Sequence, residues 1–245
     1  MITKQNKSGF DQKEIVEENL RKVNFPKVVV KKPWGHEYLV YENEHTALWF
    51  LYIKNNHSTS QHCHPKKTTG LILLDGKAEI SFLNGTNNLN PGDKIMIRKG
   101  LFHSTKAKDE KGAYIFEIET PVDKQDLVRF KDNYGREGKP YEDSIHEIPK
   151  AEDCLWIVNP EPNSSIDYNF SNCTLAVKHI SDISSLFKIE DSLNIVFLKG
   201  GILTDYGQYV AGPGDVIIAS TLKKLTNVFT KIASETIIMV VKPNI

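Results

Sequence analysis

The sequence predicts an all-β protein of two similar β-barrels in tandem, with a short helix near the N-terminus. Short stretches rich in β-branched and aromatic residues recur along the chain, separated by glycine, proline and asparagine turns. A glycine followed by a Pro-Gly-Asp turn also occurs twice, at Gly76 with 91–93 and at Gly200 with 213–215. Many short strands indicate a barrel or sandwich, and the repeated turns indicate two related units.

The first predicted element is a helix within an N-terminal extension of residues 1–26. From Asp11 to Lys22 the apolar residues follow a helical period, and acidic residues precede basic ones, as the helix dipole favours. From residue 27 the helical period gives way to strand patterns. Within a first barrel of residues 27–131, the strands are predicted at 27–30, 36–40, 47–53, 70–74, 77–83, 94–97 and 113–118.

The remaining residues divide into a linker and a second barrel. Residues 132–172 are rich in charged, glycine and turn residues, which is typical of a linker. A second β-rich block, residues 173–245, follows. We expect it to form a barrel of jelly-roll type that supplies packing area, either against the first barrel or across a homodimer.

Composition excludes several classes of partner. The 245 residues include 31 Lys and Arg and 31 Asp and Glu, so no net charge attracts nucleic acid or an anionic membrane. The three cysteines are odd in number and widely spaced, which is typical of free thiols in a reducing compartment. The N-terminus is polar where a secretory signal has an apolar core. We therefore expect a cytoplasmic protein without nucleic-acid or membrane partners.

Three histidines form the strongest chemical signal. His62 and His64 flank Cys63 in a strand-like context, where alternation places both imidazoles on one face and the thiol on the other. His103 follows a strand and a turn that return the chain toward the same point. Three imidazole nitrogens suit one divalent ion of Zn, Fe, Mn, Ni or Co, with the opposite side open to water or substrate.

These segments also carry a family resemblance. Residues 62–64 with Gly76, and residues 91–103, which end in His103, are similar to the two motifs of the cupins. Residues 32–38, 116–119 and 126–136 extend the likeness to the type II mannose-6-phosphate isomerase domain, which also occurs fused to mannose-1-phosphate guanylyltransferases. The resemblance covers about residues 28–136. It implies tandem cupin barrels, a divalent metal and an isomerase acting on a sugar phosphate.

One position departs from the family pattern. The family has a glutamate ligand where this chain has Thr69, and a hydroxyl is a far poorer ligand than a carboxylate. Either three histidines suffice, or Glu117 or Glu119 reaches the site, or metal binding is weakened. Glu117 and Glu119 share one strand face and Phe116 and Ile118 the other, and alternation does not decide which face points inward. Glu117, or a histidine released from metal coordination, is the candidate catalytic base.

Four cations flank the candidate ligands. Lys66 and Lys67 follow the first two histidines, and Arg98 and Lys99 precede His103. A local positive field at the barrel mouth favours a phosphorylated or otherwise anionic substrate, although the whole chain is neutral. We therefore take Lys66, Lys67 and Arg98 as candidate substrate-binding residues.

Three functions remain open. A sugar-phosphate isomerase or epimerase ranks first, a non-catalytic sugar-binding cupin second, and a non-haem iron dioxygenase with three histidine ligands third. Only the first barrel is expected to bind metal, because the shared turns place Leu186, Lys188 and Leu225 of the second barrel near the positions of the three histidines.

Overall fold

The chain folds as an all-β protein. The computed structural model describes residues 28–141, 146–147, 154–170 and 172–244, and these contain twenty strands and two short helices. The helix predicted over Asp11–Lys22 lies outside the described residues. Among the described residues, no helix has both the length and the apolar character that a membrane span requires.

The first block contains twelve strands in two antiparallel sheets. A seven-stranded sheet has the order β12-β1-β2-β3-β10-β5-β8, and a five-stranded sheet the order β11-β4-β9-β6-β7. The strands are β1 Val29–Lys32, β2 Gly35–Glu42, β3 Ala47–Ile53, β4 Gln61–Cys63, β5 Thr68–Gly76, β6 Ala78–Phe82, β7 Gly85–Leu89, β8 Lys94–Ile97, β9 His103–Ala107, β10 Ala113–Thr120, β11 Val128–Lys131 and β12 His146–Glu147.

The second block contains eight strands and both helices. A five-stranded sheet has the order β13-β14-β20-β15-β18, and a three-stranded sheet the order β17-β16-β19. The elements are β13 Ser165–Phe170, β14 Cys173–Ile180, α1 Ser184–Phe187, β15 Asn194–Lys199, β16 Ile202–Leu203, β17 Tyr209–Ala211, β18 Val216–Ile218, α2 Ala219–Thr226, β19 Lys231–Ile232 and β20 Thr236–Pro243.

Three apolar cores lie one behind another. One core fills the space between the two sheets of the first block, and another fills the interior of the second block. The third joins the blocks, because the seven-stranded sheet packs its outer face against β14, β15 and β20. Phe116 and Ile118 belong to this joining core. Strand alternation therefore turns Glu117 and Glu119 into the first barrel, which settles the choice that the sequence left open.

The two large sheets share their strand order. The run β13-β14-β20-β15-β18 matches β2-β3-β10-β5-β8, and the Pro-Gly-Asp turns hold the same strand in both. The N–H of Leu73 donates to the carbonyl of Asp93 at 3.0 Å, and the N–H of Phe197 donates to that of Asp215 at 3.0 Å. A duplication of one unit stays a prediction, and these matching bonds support it.

The blocks also pack reciprocally. A Cβ added to Gly92 of the first block would overlap Pro243 of the second, and one added to Gly214 of the second would overlap Thr120 of the first. Both glycines have a positive φ, of 89° and 88°. Each block thus presents the same turn to the end of the other block's central strand, as in a two-fold interface.

The predicted linker, residues 132–172, is not a separate element. Strand β12 pairs with β1 of the first block, and β13 pairs with β14 of the second, for example Ile166 with Val177. The boundary placed before Cys173 therefore falls inside a hairpin. Ile166 and Tyr168 alternate with polar residues, which is a strand pattern. The overall polar composition of residues 132–172 led to the prediction of a linker instead.

Candidate metal centre

The three predicted histidines meet inside the first barrel. Strand β4 and the residue after it carry His62 and His64, and His103 begins β9, where it pairs directly with His62. One ring nitrogen from each histidine lies within 4.8 Å of the other two. Cys63 is buried, and alternation places it on the opposite face of β4 from both imidazoles.

Hydrogen bonds fix the tautomer of each imidazole. The Nδ1 atom of each histidine lies 2.6–3.0 Å from a backbone carbonyl oxygen; for His62, His64 and His103 these carbonyls belong to Ser60, Asp126 and Leu101. A carbonyl oxygen only accepts, so each Nδ1 carries the proton and each Nε2 keeps a lone pair. The Nε2 atom of His64 is buried without a hydrogen-bond partner among the described residues. This arrangement fits a divalent ion, because imidazole ligands bind metals in this state.

Burial keeps the three imidazoles neutral. It lowers the pKa of His64 to about 3 and that of His103 to about 4, with further lowering from Lys67. It also lowers the pKa of His62, as do the neighbouring histidines. Neutral imidazoles are ready to bind a metal without first releasing a proton.

Two carboxylates complete the cluster. Glu117 Oε1 lies 4.0 Å from His64 Nε2, and His64, Glu117 and Glu119 form a second group whose ligand atoms lie within 4.8 Å of one another. Thr69 pairs with Glu119 across β5 and β10. Its hydroxyl is buried without a hydrogen-bond partner in the described part of the chain, and it does not line the pocket. The carboxylates thus come from the strand next to Thr69.

The two carboxylates differ in acidity. Burial, together with the neighbouring charge of Glu119, raises the pKa of Glu117 to about 7 against the pull of Lys124. Burial also acts to raise the pKa of Glu119, but Lys124 and Lys67 outweigh it and hold that pKa below its usual range. Glu119 is therefore a fixed anion, and Glu117 exchanges its proton near neutral pH.

Two buried lysines hold Glu119. Lys67 is 1% exposed, and its Nζ lies 2.6 Å from Glu119 Oε1. Lys124 Nζ lies 3.8 Å from the same oxygen and 3.3 Å from Glu37 Oε1, and it stands 3.8 Å above the ring centre of Trp49. Sequence reasoning missed both residues: Lys124 lies outside the motifs, and Glu37 lies within the 32–38 segment but was given no role, because only the fold brings the two together.

A strap of residues 132–141 covers one side of the site. Arg129 Nη1 donates to the carbonyls of Lys139 and Pro140 at 2.7 and 2.5 Å. The Tyr141 hydroxyl donates to Glu37 Oε1 at 2.5 Å. Arg136 and Tyr141 line the pocket from the strap, so this part of the predicted linker belongs to the site.

Of the cations predicted to bind substrate, one lines the pocket and the others do not. Lys67 lines the pocket, but its ammonium group is bound to Glu119. Lys66 and Arg98 are exposed and lie outside the pocket lining, as does Lys99. The expectation that flanking cations gather at the metal site therefore needs correction: Lys66 follows β4 and Arg98 and Lys99 follow β8, in loops that carry these side chains outward to solvent.

Similarity to known proteins is confined to structure. No protein-family model matches the sequence, and no curated protein does. A double-stranded β-helix domain protein from Klebsiella pneumoniae aligns at 16% identity and a TM-score of 0.36, over 39% of this chain and 84% of that one. A cupin-2 domain containing protein from Shewanella frigidimarina aligns at 21% and 0.33, over 37% and 83%. A protein assigned as a sugar phosphate isomerase, from Acidithiobacillus ferrooxidans, aligns at 20% and 0.30, over 32% and 52%.

Proposed function

We propose that the first block is a cupin-type, metal-dependent enzyme that isomerises or epimerises a small anionic sugar. One observation carries the proposal: ring nitrogens of three neutral imidazoles lie within 4.8 Å of one another, and Glu117 Oε1 lies 4.0 Å from His64 Nε2. His62, His64 and His103 would hold one divalent ion of Zn, Fe, Mn, Ni or Co. Bound there, such an ion supplies Lewis acidity to a substrate carbonyl or hydroxyl oxygen.

Glu117 is suited to move a proton. Isomerisation and epimerisation both require a base that takes a proton from carbon and an acid that returns it. A carboxyl group with a pKa near 7 does both at neutral pH, and Glu117 lies 4.0 Å from His64 on the floor of the pocket. Glu119 stays ionised between Lys67 and Lys124 and is less suited to this role.

The pocket carries an excess of positive charge. Its charged lining residues are five cations and three carboxylates: Lys32, Lys67, Lys124, Arg129, Arg136, Glu37, Glu117 and Glu119. Arg136 is already paired with Asp132 at 2.6 Å, which leaves four cations against three carboxylates. Protonation of Glu117 increases the excess. A low-dielectric pocket with this balance favours an anionic substrate such as a sugar phosphate.

A bound sugar needs more room beside the histidines than the structure shows, and movement of the strap would supply it. The free cavity beside the histidines measures about 60 Å³, which holds an ion and a few water molecules. Small-molecule sites usually enclose roughly 300–1,000 Å³. A sugar therefore enters as the strap lifts, and return of the strap excludes water from the proton transfer.

Metal analysis tests the ligand set. We expect about one divalent ion per chain in the purified protein and almost none in a His62→Ala, His64→Ala variant. A His45→Ala variant is the matched control, because His45 is an exposed histidine outside the cluster. Equal metal in the double variant and the parent would contradict the assignment.

Proton exchange tests the reaction. Hexose phosphates incubated in D₂O with the metal-loaded protein should gain deuterium at a carbon next to the carbonyl. Glu117→Gln should slow this exchange by about 10²–10⁴-fold while metal content is kept. Glu110→Gln, at an exposed position, should leave the rate unchanged. Lack of exchange with every hexose phosphate, or oxygen consumption by the iron-loaded protein, would exclude the isomerase.

A further inference from the structure

The second block contains a cavity of its own. It measures about 490 Å³ and is lined by residues of β14 and β20, the start of β13, and α1 with the loop that follows it. This volume lies within the usual range for small-molecule sites. It is about eight times the free volume beside the histidines.

The cavity lies where the strand register repeats the metal pocket. Val240 of β20 pairs with Ile195 of β15, as Glu117 of β10 pairs with Leu71 of β5. Two residues farther along the same strand face, Lys242 thus takes the place of Glu119. The two pockets therefore share one position in the fold, but the acidic floor of the first is replaced by an apolar and a basic residue.

Basic residues dominate the charge of this cavity. Lys178, Lys188 and Lys242 line it, and Glu190 is the one carboxylate among its described lining residues. None of the three lysines lies within ion-pair distance of a carboxylate in the described ranges. Lys178 Nζ has only a long contact of 3.5 Å with Ser165 Oγ. Three cations around one cavity, none of them in an ion pair with a carboxylate of the described residues, favour a ligand with two negative charges.

The floor between the lysines is apolar. Ala176 and Val240 lie side by side on β14 and β20, and Ile189 and Leu193 face them from the loop after α1. This surface suits an uncharged organic group rather than a bare ion. We propose that the cavity binds the phosphate monoester of a small organic molecule, with its phosphate between the lysines and its organic part on the apolar floor.

The proposed site is independent of the metal centre. Among the described residues, the groups of three or more metal-ligating side chains all lie in the first block. His179 and Glu190 line the second cavity without a third such residue among those described, so its ligand is bound without a metal. It goes beyond the proposed enzyme function and does not depend on it.

Phenyl phosphate is a suitable probe. We expect saturable binding to the full chain by calorimetry, with NMR shifts confined to the amides of β14, β20 and α1. Phenol and inorganic phosphate, which each supply half of the interaction, should each bind at least about tenfold more weakly. A Lys178→Glu, Lys242→Glu variant should lose at least about tenfold in affinity, whereas Lys224→Glu, on α2 outside the cavity, should bind as the parent does.

Three results would overturn the proposal. These are equal binding by the double variant and the parent, shifts centred on the histidine pocket, and binding that appears only after removal of residues 1–27. The last would assign the cavity to that segment. Because metal content and deuterium exchange are measured separately, failure of this site is distinguishable from failure of the proposed enzyme function.

Discussion

The two blocks share a strand order and differ in what their pockets contain. In the first, a strand that carries His62, followed by His64, closes the barrel opposite Glu117 and Glu119. In the second, helix α1 occupies the corresponding stretch between the matching strands, and the pocket stays wide. Strand order is thus fixed by the large sheets, whereas pocket chemistry depends on a few inward positions and on the element opposite them.

The largest expected effect tests the shared core. Phe116 and Met239 stand at equivalent register positions, both face the core between the blocks, and both are fully buried. Phe116→Ala should lower the free energy of unfolding by about 3–5 kcal/mol and Met239→Ala by about 2–5 kcal/mol. Urea unfolding monitored by tryptophan fluorescence measures both.

This measurement, made in a Trp156→Phe background, also tests whether the blocks unfold together. Trp34 and Trp49 belong to the core of the first block, whereas Trp156 packs against the joining core. If the joining core couples the blocks, their signal should shift in the Met239→Ala variant by as much as the circular dichroism does. An unchanged tryptophan transition in that variant would show that the blocks are energetically separate.

A second pair of variants compares the residues on the opposite, pocket-facing side of β10 and β20. Glu119→Gln removes the charge partner of buried Lys67 and should cost about 3 kcal/mol. This cost lies at the lower end of the range for breaking a buried ion pair. Lys67 still donates a hydrogen bond to the carbonyl of Asp123, and Lys124 still forms its ion pair with Glu37. Lys242→Gln, at the equivalent exposed position, should change stability by less than about 0.5 kcal/mol. Similar values for the two variants would contradict the register match.

Lowering the pH should lower the free energy of unfolding of the first block. Burial alone would raise the pKa of Glu37, but Lys124, Lys32 and the Tyr141 hydroxyl outweigh it and lower that pKa. Because the pKa of Glu37 is lower in the folded than in the unfolded chain, its ionised form stabilises the folded state at pH values above about 4.5. This stabilisation is lost as the pH falls from there through the lowered pKa. Unfolding free energies between pH 7 and 3 should therefore fall less steeply in Glu37→Gln than in the parent. Parallel profiles would contradict the assignment.

The smallest expected effect concerns Thr69. Its buried hydroxyl has no hydrogen-bond partner in the described part of the structure, and the register places Leu193 at the matching position of the second block. Thr69→Val should leave stability unchanged or raise it by up to about 1 kcal/mol, with metal content unaltered. Loss of metal in this variant would show that Thr69 takes part in the site after all.

The sequence predicted the all-β class, seven strands of the first block and the strand-like context of the first two histidines; β7, β9, β11 and β12 were not predicted. Runs such as 47–53 are almost wholly apolar, and β3 is indeed buried on both faces. Helix α2 was missed, although Leu222 and Leu225 lie one helical turn apart, because a second barrel was expected there. Tertiary context overrode a weak local pattern in this segment.

Those residues of the site that are close in sequence could be predicted to lie together. Alternation places His62 and His64 on one face, so spacing alone brings these two together. Lys124, Glu37 and Tyr141 come from separate segments whose meeting depends on how the strap crosses the barrel. Spacing carries no signal for such contacts, and buried charges are rare enough that composition argues against them.

Alternation along β20 has a consequence for how this scaffold tolerates change. Met239 and Val241 face the joining core, whereas Val240 and Lys242 face the second cavity. Neighbouring residues of β20 thus pack against different parts of the molecule, and substitutions on the cavity side need no compensation across the interface. The lining of the second cavity can therefore be changed without disturbing the joining core, which makes it a suitable place to engineer a binding site.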